Sequence, residues 1–334
     1  MKAYLLFALK RLIQLVAVVV CGCSVAFFVS HLSPISPVDM IISQVTGRSV
    51  ADPAAVQEMR RTLTQLFGLD VPIWQQYLNF ITHLATFDFG PSLMAFPTPA
   101  MSLIRLALPW TVGLLTVAVV ITWILGNLMG GLAGYFQNSK LLRAFGIIAI
   151  GIQPIPYYVV AFLFVIIFGF LWPVLPISGG FAMNVTPGWS WQFALSVIQY
   201  SILPAGALVV VGIGTWFLGM RALVSNIITE DYVTYAELAG VRQSRIVGSY
   251  VIRNALVPQL TSLAMSLGGI FSGTVITEQV FTYPGLGSLL VNAVNNGDTG
   301  VVLSISCISI ISVAGAIFII DLLHPLIDPR VRTQ

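Results

Sequence analysis

Long continuous apolar runs limit the folds open to this chain more than any other feature of its sequence. Several runs reach the roughly 20 residues that an α-helix needs to cross the hydrocarbon core of a bilayer. A transmembrane β-barrel would instead show segments of about ten residues with alternating polarity. Because 57% of the residues are hydrophobic and only 8% are charged, the pattern predicts an all-α polytopic membrane protein.

The runs predict six transmembrane helices, at approximately residues 10–31, 104–135, 143–171, 196–222, 256–281 and 300–323. The first run follows Lys2, Lys10 and Arg11, as the apolar core of a signal peptide would. It is too long for such a core, however, and no small-x-small cleavage site follows before Pro34. We therefore interpret it as a retained first span.

The distribution of Lys and Arg predicts the orientation of these spans. With a cytoplasmic N-terminus, most basic residues lie on the inner side, as the positive-inside rule requires. The inner residues are Lys2, Lys10, Arg11, Lys140, Arg143, Arg221, Arg242, Arg245, Arg253, Arg330 and Arg332, and the outer ones are Arg48, Arg60, Arg61 and Arg105. We therefore expect both termini to be cytoplasmic. Because the basic residues form no single patch, we expect no nucleic-acid partner.

This topology divides the chain into four regions. Residues 1–32 form the N-terminal cytoplasmic tip and first span, and residues 33–103 form a periplasmic segment. Residues 104–322 form a core of five helices, which includes a cytoplasmic loop at 223–256, and residues 323–334 form a cytoplasmic tail. In the periplasmic segment, Asp52 as cap, Pro53 at the first helical position and Gly68 as stop predict one helix.

Glycines recur at four-residue spacing in the second and fifth spans. The first stripe is Gly126, Gly130 and Gly134, and the second is Gly269 and Gly273. In lipid, such stripes let two helix backbones approach closely. The stripes predict helix packing, either within this chain or against a partner chain.

The sequence offers no recognisable catalytic or metal site. A phosphate-binding loop needs a Gly-Lys-[Ser/Thr] sequence, and none of Lys2, Lys10 and Lys140 follows a glycine. The histidines, His31, His83 and His324, are far apart in the sequence and belong to no catalytic motif. Cys21, Cys23 and Cys307 all lie in apolar runs, so we expect buried small side chains rather than a disulfide framework. We expect neither a catalytic residue nor a cofactor or metal.

Ionisable residues are nearly absent from the span interiors. Ion-coupled carriers usually keep such groups near the middle of the bilayer. Glu278 and Asp321 lie near span ends, where we expect them to reach the interface or a partner. Broken helices in matching repeats, another sign of secondary transporters, are not evident. The energy for any transport is therefore expected to come from another subunit.

The charged stretch from Glu230 to Arg253 contrasts with the apolar runs on both sides. We expect Thr229 to cap a short helix with Glu230 and Asp231 in its first turn, where the helix dipole favours acidic residues. Gly240 is a left-handed stop, and Ser244 is expected to cap a second helix that continues into the fifth span. A helix this short is marginal alone in water, so it needs a groove in its own bundle or in a partner. A solvated loop with some surface helix is the alternative.

The segment "DYVTYAELAGVRQSRIVGSYVIRNALVPQLTSL" resembles the cytoplasmic EAA loop of ABC importer permeases. More narrowly, it resembles the first-permease type of the dipeptide/oligopeptide/nickel family, whose loop reads D-Y-V-x-x-A-R-A-K-G and then R-N-A-L-x-P. Similar pieces occur along the whole chain, namely "ALKRLIQLVAVV", "FGLDVPIWQQY", "FDFGPSL", "EQVFTYPGLGSLL" and "DLLHPLIDPRVR". Matches in this order are far more specific than one loop alone.

The resemblance implies a type I importer permease in the bacterial inner membrane. Its implied partners are a second related permease, two ATPase subunits that bind the ATP, and an external solute-binding protein. The residues implied to couple the loop to an ATPase are Asp231, Tyr232, Val233, Ala236, Glu237, Gly240, Arg245, Arg253, Asn254 and Pro258. The chain departs from the family at Glu237, where Arg is usual, and at Ala239, where Lys is usual. We therefore expect the ATPase groove to be matched to this permease.

The solute and its path through the spans are left open. The family implies peptides, whereas the pair Tyr157 and Tyr158 resembles a subgroup that takes oligosaccharides or opines. Two other functions are alternatives to an importer permease. A secondary transporter would need an essential midspan carboxylate and no ATP, and a membrane scaffold would have no solute pathway.

Overall fold

The described part of the chain is almost entirely helical. The structure is a computed structural model, and it describes residues 2–32, 37–46, 52–272 and 275–327. These residues form α1 (Lys2–His31), α2 (Pro37–Thr46), α3 (Pro53–Leu66), α4 (Ile73–Leu84), α5 (Ala100–Tyr135), α6 (Lys140–Ile152), α7 (Tyr157–Phe164), α8 (Trp191–Ile227), α9 (Asp231–Leu238), α10 (Gln243–Arg245), α11 (Arg253–Gly268), α12 (Val275–Val280), α13 (Leu286–Asn295) and α14 (Thr299–Ile327). Two π-helical sections, Val165–Leu171 and Ile246–Ile252, continue α7 and connect α10 with α11.

Four helices in the described ranges are long and apolar enough to cross a membrane. They are α1, α5, α8 and α14, and they coincide with the predicted first, second, fourth and sixth spans. The predicted third span is divided into α6 and α7, which are bent by 104° across a short break. The prediction of one continuous helix there is therefore wrong. Counting the bent pair as one span gives five.

The predicted fifth span is also divided. α11 has 16 residues, a 3-10 turn (Gly269–Ser272) extends it, and α12 is a separate short helix of six residues. Since α11 carries polar residues such as Gln259 and Ser262 as well as Pro258, its composition is less apolar than that of the four spanning helices. The count of six spans and the cytoplasmic location of both termini therefore stay predictions.

The helices divide into two compact units. The first comprises residues 1–111 and 284–318, and the second comprises residues 112–283 and 319–334. In the first unit, α5 packs on α13 and α14 through a core of Ala100, Ile104, Leu286, Ala293 and Val301. A second cluster joins α1, α4 and α14.

That second cluster contains two of the three cysteines. Cys23 and Cys307 are buried beside Phe27, Phe80 and Leu84. Both are small core side chains, as predicted. Cys21 is exposed on α1 instead, because it lies on the side of that helix that no other part of the first unit covers. The prediction of burial is wrong for Cys21.

The segment predicted to be periplasmic belongs to the first unit, and its predicted helix is confirmed as α3. The Asp52 carboxylate accepts a hydrogen bond from the amide of Ala54 at 3.1 Å, and Pro53 takes the first helical position. Gly68 follows the helix with φ of +61°. These are the cap, the start and the stop that the sequence predicts.

A buried carboxylate fastens the end of this segment to α14. Asp298 accepts hydrogen bonds from the Ser92 hydroxyl at 2.6 Å and from the amides of Leu93 and Met94 at 2.7 and 3.1 Å. Its other oxygen caps α14 by accepting from the amide of Val301 at 3.0 Å. Hydrogen bonds to an ionised group are stronger than neutral ones, so this carboxylate holds four donors in one place.

In the second unit, α5 packs against α8 along its glycine stripe. A Cβ at Gly126 would meet Trp216, and one at Gly134 would meet Val224. Gly130 faces the backbone of Phe217 directly. The α5 stripe therefore packs within this chain. Gly269 has no heavy atom within 4 Å of a Cβ position, so it makes no such contact here, and Gly273 lies outside the described residues.

Glu278 does not occupy the position expected for an end-of-span residue. Its side chain is fully buried in α12 within the second unit. The prediction that it reaches the membrane interface or a partner is therefore wrong for the interface, since no part of the side chain is exposed. A buried carboxylate must have partners within its own unit or be very costly.

Candidate functional site

The charged loop predicted to be cytoplasmic contains a short helix, α9, which begins without a side-chain cap. Asp231 lies in its first turn, and Glu230 takes the cap position without a side-chain hydrogen bond to the helix. The Thr229 hydroxyl donates instead to the carbonyl of Asn226 at 2.7 Å, near the end of α8. The prediction that Thr229 caps α9 is therefore wrong, because its hydroxyl is hydrogen-bonded to the C-terminal end of the preceding helix, α8.

Two small apolar side chains fasten α9 to the rest of the second unit. Val233 is 1% exposed and Ala236 is 7% exposed. Both belong to a buried cluster, called here the loop cluster, whose other members come from α8, the π section before α11, and α11 itself: Met220, Val224, Ile246, Val251 and Ala255. The side of α9 that carries Val233 and Ala236 is therefore covered by its own chain.

The end of α9 has the hydrogen bonds of a Schellman motif. The amide of Val241 donates to the carbonyl of Ala236 at 3.1 Å, and the amide of Gly240 donates to that of Glu237 at 3.0 Å. Gly240 has φ of +70°, which is the left-handed conformation predicted for the stop. Val241 packs against the loop cluster, so the motif fixes where the chain turns.

The opposite side of α9 is exposed and partly apolar. Tyr235 is 70% exposed and Leu238 is 80% exposed. The carboxylates of Asp231 and Glu237 are exposed on the same short helix. A surface of two large apolar side chains with acidic neighbours is what a helix presents when it inserts into a groove of another protein. We call this surface the α9 face.

The second helix of the loop begins at Gln243, with Arg242 at its cap and no side-chain capping bond. Ser244 lies inside this helix, so the prediction that it is the cap is wrong. Arg245 and Arg253 are exposed, and Pro258 lies within α11. This arm of the loop therefore adds basic side chains to a surface whose α9 face is acidic.

Asn254 joins the two arms of the loop. Its side-chain amide donates to the Tyr232 hydroxyl at 3.2 Å and to the carbonyl of Tyr250 at 2.7 Å. Tyr232 is thus held by a residue 22 positions further along the chain. The predicted coupling residues of α9 and α11 are brought together by this bond and by the loop cluster.

A groove of about 600 Å³ lies beside the loop. It is formed by the connection from α5 to α6, the end of α8 and the start of α10, and its lining residues are Tyr135, Phe136, Gln137, Asn138, Ser139, Leu142, Ile228 and Gln243. The surface next to α9 is therefore concave and mostly uncharged. These residues come from three separate connections, so no local sequence pattern groups them.

The break between α6 and α7 was also not predicted from the sequence. Ile152 ends α6 and Tyr157 begins α7, with Pro154 and Pro156 in between. Proline cannot donate a backbone hydrogen bond and disfavours a helical residue before it. The segment "GIQPIPYY" therefore contained the signal for the break, but its apolar surroundings concealed it.

Comparison with known proteins identifies the family of this chain. Residues 126–333, well over half of the chain, match the family described as "Binding-protein-dependent transport system inner membrane component". The chain is 26% identical over 326 residues to the dipeptide transport system permease protein of Lactococcus lactis, covering 98% of this chain and 99% of that protein. It is 28% identical over 331 residues to the oligopeptide transport system permease protein of Haemophilus influenzae, covering 98% and 99%. It is also 28% identical over 336 residues to the probable D,D-dipeptide transport system permease protein of Escherichia coli, covering 96% of both.

The relatives agree with the structure in two respects. They cover nearly the full length of this chain, so the match includes both units and the charged loop. The family consists of inner-membrane proteins, as the several spanning helices require. The chain therefore belongs to the family of inner-membrane components of binding-protein-dependent transport systems, as a multi-pass permease.

Proposed function

We propose that this chain forms half of the solute pathway of an ABC importer, together with a second, related permease. Two ATPase subunits and an external solute-binding protein complete the assembly. The family match supports a transport role that depends on a binding protein. The absence of a Gly-Lys-[Ser/Thr] sequence supports the assignment of ATP binding to other subunits.

The α9 face is the observation that carries this proposal. α9 has only Val233 and Ala236 in the loop cluster, while Tyr235 and Leu238 extend outward. Two large apolar side chains that lie together on the outer side of an eight-residue helix mark a candidate protein-interaction surface. An ATPase groove would cover them and would convert a change at the ATPase into a movement of α9.

The coupling follows from differential binding. A ligand shifts a conformational equilibrium only as far as its affinity differs between the two states. ATP closes the ATPase pair, and the closed pair holds α9 in a different position from the open pair. Because α9 is packed on α8 and α11 through the loop cluster, its displacement reaches helices of the membrane core. The solute-binding protein shifts the same conformational equilibrium from the outer side, because its affinity also differs between the two states.

Peptides are the proposed solutes, since the similar permeases are named for dipeptide and oligopeptide transport. Oligosaccharides or opines are the second candidate. That alternative is favoured by the adjacent tyrosines Tyr157 and Tyr158, both of which are partly exposed. Binding of peptides and of oligosaccharides by the isolated solute-binding protein distinguishes the two.

Removing the apolar part of the α9 face tests the docking. We expect the double variant Tyr235→Ala/Leu238→Ala to lose co-purification with the ATPase subunits and to lose ATP-driven uptake at least tenfold. The membrane level should stay normal, because neither side chain is part of the buried cluster. Met183→Ser is the matched control, since Met183 is fully exposed in the connection between α7 and α8. Normal assembly of the double variant would contradict the proposal.

The purified chain is expected to have no ATPase activity. Turnover that disappears when a residue of this chain is changed would contradict the assignment of ATP to partner subunits. Uptake that continues without ATP in the complete complex would favour a secondary transporter. Both measurements use the same preparation of permease, with and without its partners.

A further inference from the structure

The break between α6 and α7 lies in the middle of an apolar stretch. The two helices meet at 104°, and the connection from Gln153 to Pro156 has no regular helix. At membrane depth, irregular backbone is tolerated only where it is buried in protein or lines a water-filled cavity. The surroundings of the break decide which of these applies.

A cavity of about 380 Å³ lies beside this break in the same unit. Its walls are α5, α8, the N-terminal end of α7 and the turn that follows α11. Most of the lining is apolar, but four lining residues, Thr122, Tyr157, Thr215 and Ser266, have hydroxyl-bearing side chains. The Thr122 hydroxyl donates to the carbonyl of Ala118, and the Thr215 hydroxyl accepts from Gln153. No lining residue carries a formal charge at neutral pH.

One hydrogen bond connects the break with the cavity wall. The side-chain amide of Gln153 donates to the Thr215 hydroxyl at 3.3 Å. α6 can come this close to α8 because Gly214 has no side chain: a Cβ there would lie 2.6 Å from the carbonyl oxygen of Ala149. The end of α6 therefore lies against α8 at the cavity wall, with Gln153 bonded to Thr215.

We propose that this cavity is a solute-passage site of the permease and that it accepts uncharged hydrogen-bonding groups. The backbone amides of a peptide and the hydroxyls of an oligosaccharide share that chemistry. Hydroxyl and aromatic groups can bind either one. A formal charge would be desolvated there without a counter-ion, so the charged ends of a peptide would have to lie outside this cavity. The proposal rests on the proposed function, since a passage site has meaning only in a transporter.

Gly269 gives a direct way to fill the cavity. It lines the cavity, and no heavy atom lies within 4 Å of a Cβ placed on it. Its φ is −73°, so a side chain causes no backbone strain. Gly269→Leu is expected to lower ATP-driven uptake at least tenfold while assembly with the ATPase subunits is retained. The matched control is Gly113→Leu, because Gly113 on α5 is equally open and does not line the cavity.

Removing one hydroxyl tests the chemistry of the site. Thr215→Val keeps the size of the side chain but loses the hydrogen-bonding group. We expect uptake of radiolabelled tri-alanine or of maltotriose by the complete transporter to fall about three- to tenfold, in line with one lost hydrogen bond. Import of tri-alanine by the wild type would identify the bound groups as peptide amides, and import of maltotriose would identify them as sugar hydroxyls. Unchanged uptake in both Gly269→Leu and Thr215→Val would overturn the proposal.

Thiol labelling tests the cavity without any transported solute. In a variant with Cys21, Cys23 and Cys307 changed to Ala, Ser266→Cys is expected to react with a small, charged methanethiosulfonate reagent in the assembled complex. The rate should change at least threefold on trapping with ATP and vanadate. A thiol that never reacts would contradict a water-filled passage. If the wild type imports neither probe in an ATP-dependent way, the proposed function fails for these solutes, and the labelling still decides the nature of the cavity.

Discussion

At the scale of single residues, Gly240 has the conformation on which the loop depends most directly. Its φ of +70° allows the two hydrogen bonds that end α9, and a Cβ there would meet no heavy atom within 4 Å. Any penalty for a side chain at this position is therefore conformational and does not come from a clash. For β-branched residues the left-handed region is a genuine outlier, whereas Asn adopts it several-fold more readily than other residues.

We expect Gly240→Val to uncouple the loop. Left-handed strain costs on the order of 1–3 kcal/mol, which is enough to disorder an eight-residue helix that is marginal by itself. It is too little to remove spanning helices from a bilayer. ATP-driven uptake and cross-linking of α9 to the ATPase should fall, while the membrane level stays normal. Gly240→Asn is the control and should keep most activity. Full uptake with Val would mean that α9 is not the coupling element.

At the scale of helices, the contact between α5 and α8 is set by glycines. A Cβ at Gly130 would overlap the carbonyl oxygen of Phe217 and would lie 2.9 Å from its Cα. Since these are backbone atoms, no rotamer change can relieve the overlap. In lipid, such close approach supplies much of the packing energy between helices. α8 is also the helix that α6, α7 and α11 contact in the same unit.

Gly130→Ala is therefore expected to separate α5 from α8 and to destabilise the permease. Overpacking costs typically about 1–3 kcal/mol. We expect the temperature of aggregation in detergent, measured by fluorescence-detected size exclusion, to fall by several degrees. Gly113→Ala places the same methyl group in open space on the same helix and should leave that temperature unchanged. Equal thermal behaviour of the two variants would contradict the α5–α8 contact.

At the scale of the whole molecule, the predicted orientation rests on charge alone. Most Lys and Arg lie on segments predicted to be cytoplasmic, including Arg242, Arg245 and Arg253 of the loop. α3, with its regular cap and stop, lies in the segment predicted to be periplasmic. The two regions should therefore differ in their access from outside the cell.

Cysteine labelling in whole cells tests this orientation. In a variant without the native cysteines, Gln57→Cys on α3 should react with a membrane-impermeant maleimide in intact cells. Gln243→Cys in the loop should react only after the membrane is opened. Both side chains are exposed in the structure, so a difference in labelling reports the side of the membrane. Equal labelling in intact cells would contradict the predicted topology.

Local signals allowed much of the structure to be predicted. The cap at Asp52, the stops at Gly68 and Gly240, and four of the spans depend on residues that are adjacent in sequence or lie in one helix. The predictions that were wrong concern positions where such local signals compete with one another. Thr229 and Ser244 have the chemistry of a cap, but the Thr229 hydroxyl donates to the end of α8 and Ser244 lies inside α10, which begins one residue earlier. The prolines at 154 and 156 outweighed the apolar composition around them.

The sequence by itself determined the class of the protein, four of its apolar spans and the turn at Gly240, because length, hydropathy and local turn chemistry are properties of short segments. Only the tertiary structure decided which other parts of the chain those segments contact. It placed the stripe of Gly126, Gly130 and Gly134 against α8, buried Glu278, and brought four residues with hydroxyl-bearing side chains to one cavity. The glycine spacing predicted close packing but not the helix it packs against, because the contacting residues are far apart along the chain.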